Sequence, residues 1–121
     1  MSIKSFFSLY FARAIVKKNL RWKNNAVNAQ NKLMISLIKT AKDTQFGIDH
    51  KFSAINNYSD FKQNIPIRDY EDLLEYIEKI KDGEENILWP KKPIYFCKTS
   101  GTTSGAKYIP ISKESMPCHL D

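Results

Sequence analysis

The chain reads as an α+β or α/β fold, a helical N-terminal lead followed by the first strands of a large mixed sheet. Three observations predict it. Apolar residues recur at three- and four-residue steps through the first forty or so positions, the period of a helix face. Two short runs rich in β-branched and aromatic residues, Ile94-Tyr95-Phe96-Cys97 and Tyr108-Ile109-Pro110-Ile111, have the character of strands. The charge is divided as well. Residues 1–42 hold nine Lys/Arg and no Asp/Glu, whereas residues 43–121 hold ten Lys/Arg and thirteen Asp/Glu. We therefore divide the 121 residues into a basic helical lead, 1–43, and a second segment, 44–121. A hydrophobic content of 42% is ordinary for a globular chain and gives no indication of disorder.

Residues 3–19 are expected to form the first helix, with Phe7, Tyr10, Phe11, Ala14 and Ile15 on one face. An aromatic stripe with a basic back suits a membrane surface, but it suits packing on its own domain better. Asn24-Asn25 marks a break, and Trp22 is placed to clamp the helices on either side. A second helix is expected from Ala26 to about Lys42, its face made of Ala26, Ala29, Leu33, Ile35, Leu37, Ile38 and Ala41. Thr44-Gln45-Phe46-Gly47 ends it, with Gly47 as the turn residue. His50 has no partner nearby in sequence and reads as a surface or loop histidine rather than an acid or base. Phe52, Ile55 and Tyr58 suggest a short helical turn or packed loop, and Ser59 is the expected cap of a brief helix over 59–64.

Pro66 keeps Ile65 out of the helical region, so 65–68 is extended. Asp69 is expected to cap a helix running to about Asp82. Leu73, Leu74, Ile77 and Ile80 form its apolar stripe, Glu71 and Asp72 suit the N-terminal dipole, and Gly83 stops it. Glu71, Glu75 and Glu78 fall near one another at helical spacing, where solvation is the default and acid–base work the exception. Leu88-Trp89-Pro90 and Pro93 lead to the first strand, with Trp89 read as a buried anchor rather than a base-stacking group. A further helix begins around Ser112-Lys113-Glu114-Ser115.

Composition bounds the rest. Cys97 and Cys118 are the only cysteines, too few and too irregular for a disulfide framework or a zinc site. Cys97, in an apolar run, is expected to be a small buried hydrophobe. This usage fits a reducing cytosol, and a cytoplasmic location is expected. The short apolar run near the N-terminus is cut by Arg13, Lys17 and Lys18, too early for a secretory core. No stretch approaches the length of a membrane span, so stable membrane insertion is not expected. The basic lead has no groove-reading motif beside it, and nucleic acid is not an expected partner.

The informative stretch is Lys98-Thr99-Ser100-Gly101-Thr102-Thr103-Ser104-Gly105-Ala106-Lys107, between the two strands. From Thr99 to Thr103 it is unbroken in hydroxyl and glycine residues. Glycines let backbone N–H groups approach an anion closely, hydroxyls rotate to donate to phosphate oxygens, and a lysine supplies a point charge. The chemistry suggested is a grip on a nucleotide polyphosphate. It is not the kinase-type phosphate loop. Only three residues separate Gly101 from Gly105, Ala106 precedes the lysine, and Tyr108 follows it. No Gly-x-Gly-x-x-Gly fingerprint occurs. The bland alternative for such a cluster is an ordinary hairpin loop.

Residues 99–107 resemble the phosphate-binding loop of the adenylate-forming superfamily, whose common form is Thr-Ser-Gly-Thr-Thr-Gly-x-Pro-Lys-Gly. The chain is more similar still to the acyl-acid amido synthetases, the plant auxin- and jasmonate-conjugating enzymes and their bacterial relatives. Thr44-Gln45-Phe46-Gly47, Ile65-Pro66-Ile67, Asp69-Tyr70-Glu71-Asp72-Leu73 and Tyr76-Ile77 match that family's N-terminal region in order and approximate spacing. The resemblance covers roughly residues 40–117. Three positions depart from the common loop pattern: Ser104 replaces a glycine, Ala106 a proline and Tyr108 a glycine. They fit the amido-synthetase branch better than the ligase branch.

The resemblance implies an adenylate-forming N-terminal domain beginning within 44–121, with loop 98–107 as its phosphate grip. It implies ATP and Mg²⁺ as cofactors, and a small carboxylic acid and an amine, usually an amino acid, as substrates. A carboxylate would attack the α-phosphate of ATP, and the amine would then displace AMP. Thr99, Ser100, Gly101, Thr102, Thr103, Ser104, Gly105 and Lys107 would hold the nucleotide; no catalytic residue and no protein metal ligand is assigned. Enzymes of this family are several times longer. The chain is therefore expected to be an N-terminal fragment, its remaining polypeptide the main partner of its apolar faces, and inactive alone. A membrane-surface or interaction module led by the first helix, and a non-catalytic nucleotide-binding relative, remain the alternatives.

Overall fold

The computed structural model describes residues 3–100 and 105–120; of the side chains of residues 3–6, Trp22 and Leu120 nothing is described. In order, the elements are α1 Ile3–Asn24, α2 Ala26–Ala41, α3 Gln45–Asp49, a 3₁₀ turn Phe52–Ala54, α4 Tyr58–Asn64, a 3₁₀ turn Glu71–Leu73, α5 Leu74–Lys81, β1 Tyr95–Lys98, β2 Tyr108–Ile111 and α6 Met116–Leu120. Among the described residues the only sheet is the antiparallel pair β1–β2. Helix with a small sheet makes this a partial α+β domain. The chain divides into two compact units, Met1–Met34 and Ile35–Asp121.

In the first unit α1 continues past the expected end near Asn19 to Asn24, where the Asn24-Asn25 break does fall. Its aromatic stripe is not buried: Phe7 is 67% exposed, Tyr10 73% and Phe11 68%. The expectation that this face packs away from solvent is thus not met. The predicted clamp by Trp22 lies outside the described side chains.

The second unit holds the core. Ile38 and Ala41 at the end of α2, with Phe52, Ile55, Ile77, Ile80, Ile87 and Ile111, are all buried. Only the C-terminal part of the predicted α2 face is used, since Leu33 and Leu37 are exposed. Thr44 is buried at 1% and caps α3: its hydroxyl donates to Ala41 O (2.7 Å) and accepts from Gly47 N (3.0 Å). The next two orphan donors of α3 go elsewhere. Gln45 N donates to Asn86 O (2.8 Å) and Phe46 N to Ile87 O (3.0 Å), stitching this turn to a segment forty residues away in sequence.

Gly47 is not the turn residue predicted. It sits inside α3, buried, where an added Cβ would overlap the carbonyl oxygen of Ala41 and stand 2.9 Å from that of Lys42. Glycine is required here for close backbone approach rather than for a left-handed conformation. His50 also differs from expectation: it is buried at 5% and stacks on Phe46 at 4.0 Å. Its Nδ1 lies 2.9 Å from Phe46 O and its Nε2 3.1 Å from the Arg68 guanidinium. A carbonyl only accepts and a guanidinium only donates, so this geometry suits the neutral Nδ1–H form. Beside it Tyr76 donates to Asp49 (2.7 Å); burial first, and then this hydrogen bond, push the Tyr76 phenol up to about 12.

The cap of α4 is Asn57, whose side chain accepts from Asp60 N (3.0 Å); Ser59, the predicted cap, lies within the helix. Asp69 does cap as expected. Asp72 N donates to Asp69 Oδ1 (3.0 Å) and Asp69 N to Asp72 Oδ2 (3.2 Å), a reciprocal box that opens the turn into α5. Ile77 and Ile80 are buried but Leu74 is 42% exposed, so the stripe is narrower than predicted. Gly83, at φ +92°, ends α5, with Glu84 N reaching back to Lys79 O (3.0 Å).

Candidate functional site

Strands β1 and β2 pair in the register Tyr95↔Ile111, Phe96↔Pro110, Cys97↔Ile109 and Lys98↔Tyr108. One step further, Thr99 N donates to Lys107 O (3.0 Å). Antiparallel pairs alternate between bonded and non-bonded, so Phe96–Pro110 falls at a non-bonded step. Pro110, which has no N–H to give, therefore does not weaken the ladder. The bond from Thr99 to Lys107 closes the base of the hydroxyl-rich loop, and both roots of that loop are held by the sheet.

Of the predicted nucleotide-binding residues, Thr99 and Ser100 leave β1 exposed to solvent. Gly105 has φ +83° and open space where a Cβ would stand, the backbone freedom a close anion contact needs. Gly101, Thr102, Thr103 and Ser104 lie outside the described residues. Lys107, at the far root, is engaged with protein. Its Nζ is 3.2 Å from Glu71 Oε1 and 5.0 Å from the centre of the Tyr70 ring. Tyr70 is itself fastened to the start of β2: its hydroxyl accepts from Tyr108 N (2.9 Å) and lies 3.5 Å from Tyr108 O.

The carboxylates flagged along the helix do not converge. Glu75 pairs with Lys79 (2.9 Å) and Glu78 with Lys81 (2.8 Å) along its own surface, while Glu71 reaches across to Lys107. Both lysines on the helix have their pKa raised, by these side-chain hydrogen bonds first. Cys97 is exposed, against the expectation of burial, as is its register partner Ile109 at 41%. Trp89 is half-buried and donates to Glu114 (3.3 Å), in keeping with an anchor. It stands in the wall of an apolar cavity of about 300 Å³ with Tyr70, Leu73, Ile77, Pro110 and others. Sequence reasoning missed Tyr70 and Glu71 as neighbours of the loop. The one available signal was their place in the matched Asp69-Tyr70-Glu71-Asp72-Leu73 segment.

Among the described residues no group of three His, Cys, Asp or Glu is arranged to hold a metal ion, and no helix is long and apolar enough to cross a membrane. The donors that are present, exposed hydroxyls, a left-handed glycine and a lysine, suit a polyphosphate.

Comparison with known proteins bears on the same residues. The family model described as the GH3 family N-terminal domain matches residues 16–119. The chain is 41% identical over 58 residues to indole-3-acetic acid-amido synthetase GH3.15 of Arabidopsis thaliana, covering 46% of this chain and 10% of that protein. It is 31% identical over 94 residues to the probable indole-3-acetic acid-amido synthetase GH3.1 of the same plant, covering 76% of this chain and 16% of the relative. With the jasmonoyl–L-amino acid synthetase JAR4 of Nicotiana attenuata it shares 36% identity over 74 residues, 60% of this chain and 12% of that one. The chain thus spans between a tenth and a sixth of the length of these relatives. The family match takes in 104 of the 121 residues, the hydroxyl-rich loop with both its strands included, and the chain belongs to the GH3 family through its N-terminal domain.

Proposed function

We propose that this chain supplies the polyphosphate grip of an ATP-dependent acyl-acid amido synthetase. The observation that carries the reading is the closed loop base: Thr99 and Lys107 are bonded at 3.0 Å, with exposed hydroxyls on one root and a positive-φ glycine and a lysine on the other. Relatives named as indole-3-acetic acid-amido and jasmonoyl–amino acid synthetases support an acid and an amino acid as the substrate classes.

In the proposed reaction a carboxylate oxygen bonds to the α-phosphorus of ATP and the bond to the β-phosphate oxygen breaks, releasing pyrophosphate. An amine then bonds to the acyl carbon, loses a proton and displaces AMP, giving an amide. The loop acts on the first half. Hydroxyls of Thr99, Ser100, Thr102, Thr103 and Ser104 donate to phosphate oxygens, and Gly101 and Gly105 let backbone N–H groups approach. Holding the leaving group in line is a matter of geometry, which preorganised donors supply. Lys107 offsets charge on the departing pyrophosphate. Mg²⁺ would be carried mainly by the phosphates, its usual habit where the protein offers few carboxylates.

The test is carboxylate-dependent ATP–pyrophosphate exchange by the full-length gene product, repeated with Ser100→Ala and Thr102→Ala. Each variant is expected to lower the exchange rate about ten-fold or more, the scale of a lost transition-state donor. Exchange unchanged in both removes the loop from the mechanism, and nucleotide binding without any exchange favours a non-catalytic relative.

A further inference from the structure

Lys107 does not present an unclaimed charge. Its ammonium lies 3.2 Å from the Glu71 carboxylate and rests over the Tyr70 ring at 5.0 Å, with the Lys107 side chain 33% exposed and that of Glu71 54% exposed. Tyr70 cannot easily withdraw, since its hydroxyl is bonded to the backbone of Tyr108. Among the described residues Glu71 makes no comparable bond to the backbone. The neighbouring acids Asp69 and Asp72 are committed to each other's backbone N–H groups, and Glu75 and Glu78 to lysines of their own helix. Among the described residues the loop-root lysine is therefore seated on an aromatic floor and neutralised by one half-exposed carboxylate.

We propose that Glu71 is a built-in competitor for the polyphosphate, an intramolecular anion that occupies Lys107 until the nucleotide displaces it. The inference rests on the proposed phosphate role of the loop. A carboxylate and a phosphate oxygen compete for the same ammonium donors, and the more highly charged polyphosphate prevails because the exposed carboxylate is readily rehydrated when it leaves. Glu71 thus lowers affinity for any anion at the loop root. The loss is modest, since a half-exposed ion pair is weak. The competition lowers the apparent affinity of every anion at the root by the same small factor, which a triphosphate with several other contacts to the loop can absorb. Tyr70, by contrast, is a positioning residue that keeps the lysine stem at the root in both states.

The experiment is calorimetric titration of the full-length gene product with inorganic tripolyphosphate. It compares the unaltered protein with Glu71→Gln, Lys107→Met and the double variant. Glu71→Gln is expected to tighten binding about two- to five-fold, the range of a weak surface ion pair. In the Lys107→Met background the same change is expected to have no effect, a dependence that a purely structural role for Glu71 does not produce. Weaker or unchanged binding in Glu71→Gln, or equal tightening with and without Lys107, overturns the proposal. Ser100→Ala and Thr102→Ala, measured alongside, separate the two readings. If they weaken tripolyphosphate binding while Glu71→Gln does not alter it, only the competition is wrong. If they leave it untouched, or if no protein binds tripolyphosphate, the loop is not a phosphate site and both readings fall.

Discussion

Residues 1–34 and residues 35–121 use apolar residues in contrasting ways. In the first unit a 22-residue helix repeats aromatic and aliphatic residues at helical steps, yet Phe7, Tyr10, Phe11 and Val16 are all more than half exposed. In the second, α5 is only eight residues long and buries Ile77 at 3% and Ile80 at 7%. A periodic pattern specifies which side of a helix is apolar; it says nothing about whether another element covers that side. α2 makes the point within one helix: Leu33 is 61% exposed, and Ile38, five residues on, is 4% exposed.

The sharpest way to break this contrast is to truncate the buried side. Ile77→Ala removes a fully packed side chain and is expected to cost about 2–5 kcal/mol in urea unfolding followed by far-UV circular dichroism. A loss below about 1 kcal/mol would mean that the second unit is not packed as described. Gly47→Ala probes the same core through the backbone. Its Cβ would overlap the Ala41 carbonyl, and overpacking of this kind is expected to cost about 1–3 kcal/mol. Tolerance of alanine there would show that the turn between α2 and α3 can open. The smallest expected effect is in the first unit. Phe11→Ala should change stability by less than about 0.5 kcal/mol, because that ring is 68% exposed. If it costs as much as Ile77→Ala, the difference between the two units disappears.

Much of the chain's local order was legible. The break at Asn24-Asn25, the extended stretch around Pro66, the Asp69 cap, the Gly83 stop and the strand–loop–strand arrangement all depend on residues within a few positions of one another. Errors collected where a second interaction competed with the signal first read, close in sequence for Gly47 and Ser59 and distant for His50. Gly47 reads as a helix end, but the return of the chain against Ala41 and Lys42 makes it a contact glycine inside α3. Ser59 and Asn57 are both good caps, and Asn57 holds the position with Asp60. Cys97 sits in an apolar run, but both it and its cross-strand partner Ile109 are open to solvent, which an apolar run alone does not reveal. His50 reads as unpartnered because one partner is a backbone carbonyl, Phe46 O, and the other, Arg68, is eighteen residues on.

The sequence by itself determined where the main helices and strands fall, the stop at Gly83, the donor-rich composition of the loop and the family to which the chain belongs. Hydrogen bonds and dihedral preferences spanning a few residues dictate such features. Only the tertiary structure decided that Thr44 and His50 are buried, that Asn86 and Ile87 receive the first amides of α3, and that Glu71 and Tyr70 seat Lys107. Those pairings join positions about forty residues apart. They depend on how the whole chain closes on itself, which no window of neighbouring residues records.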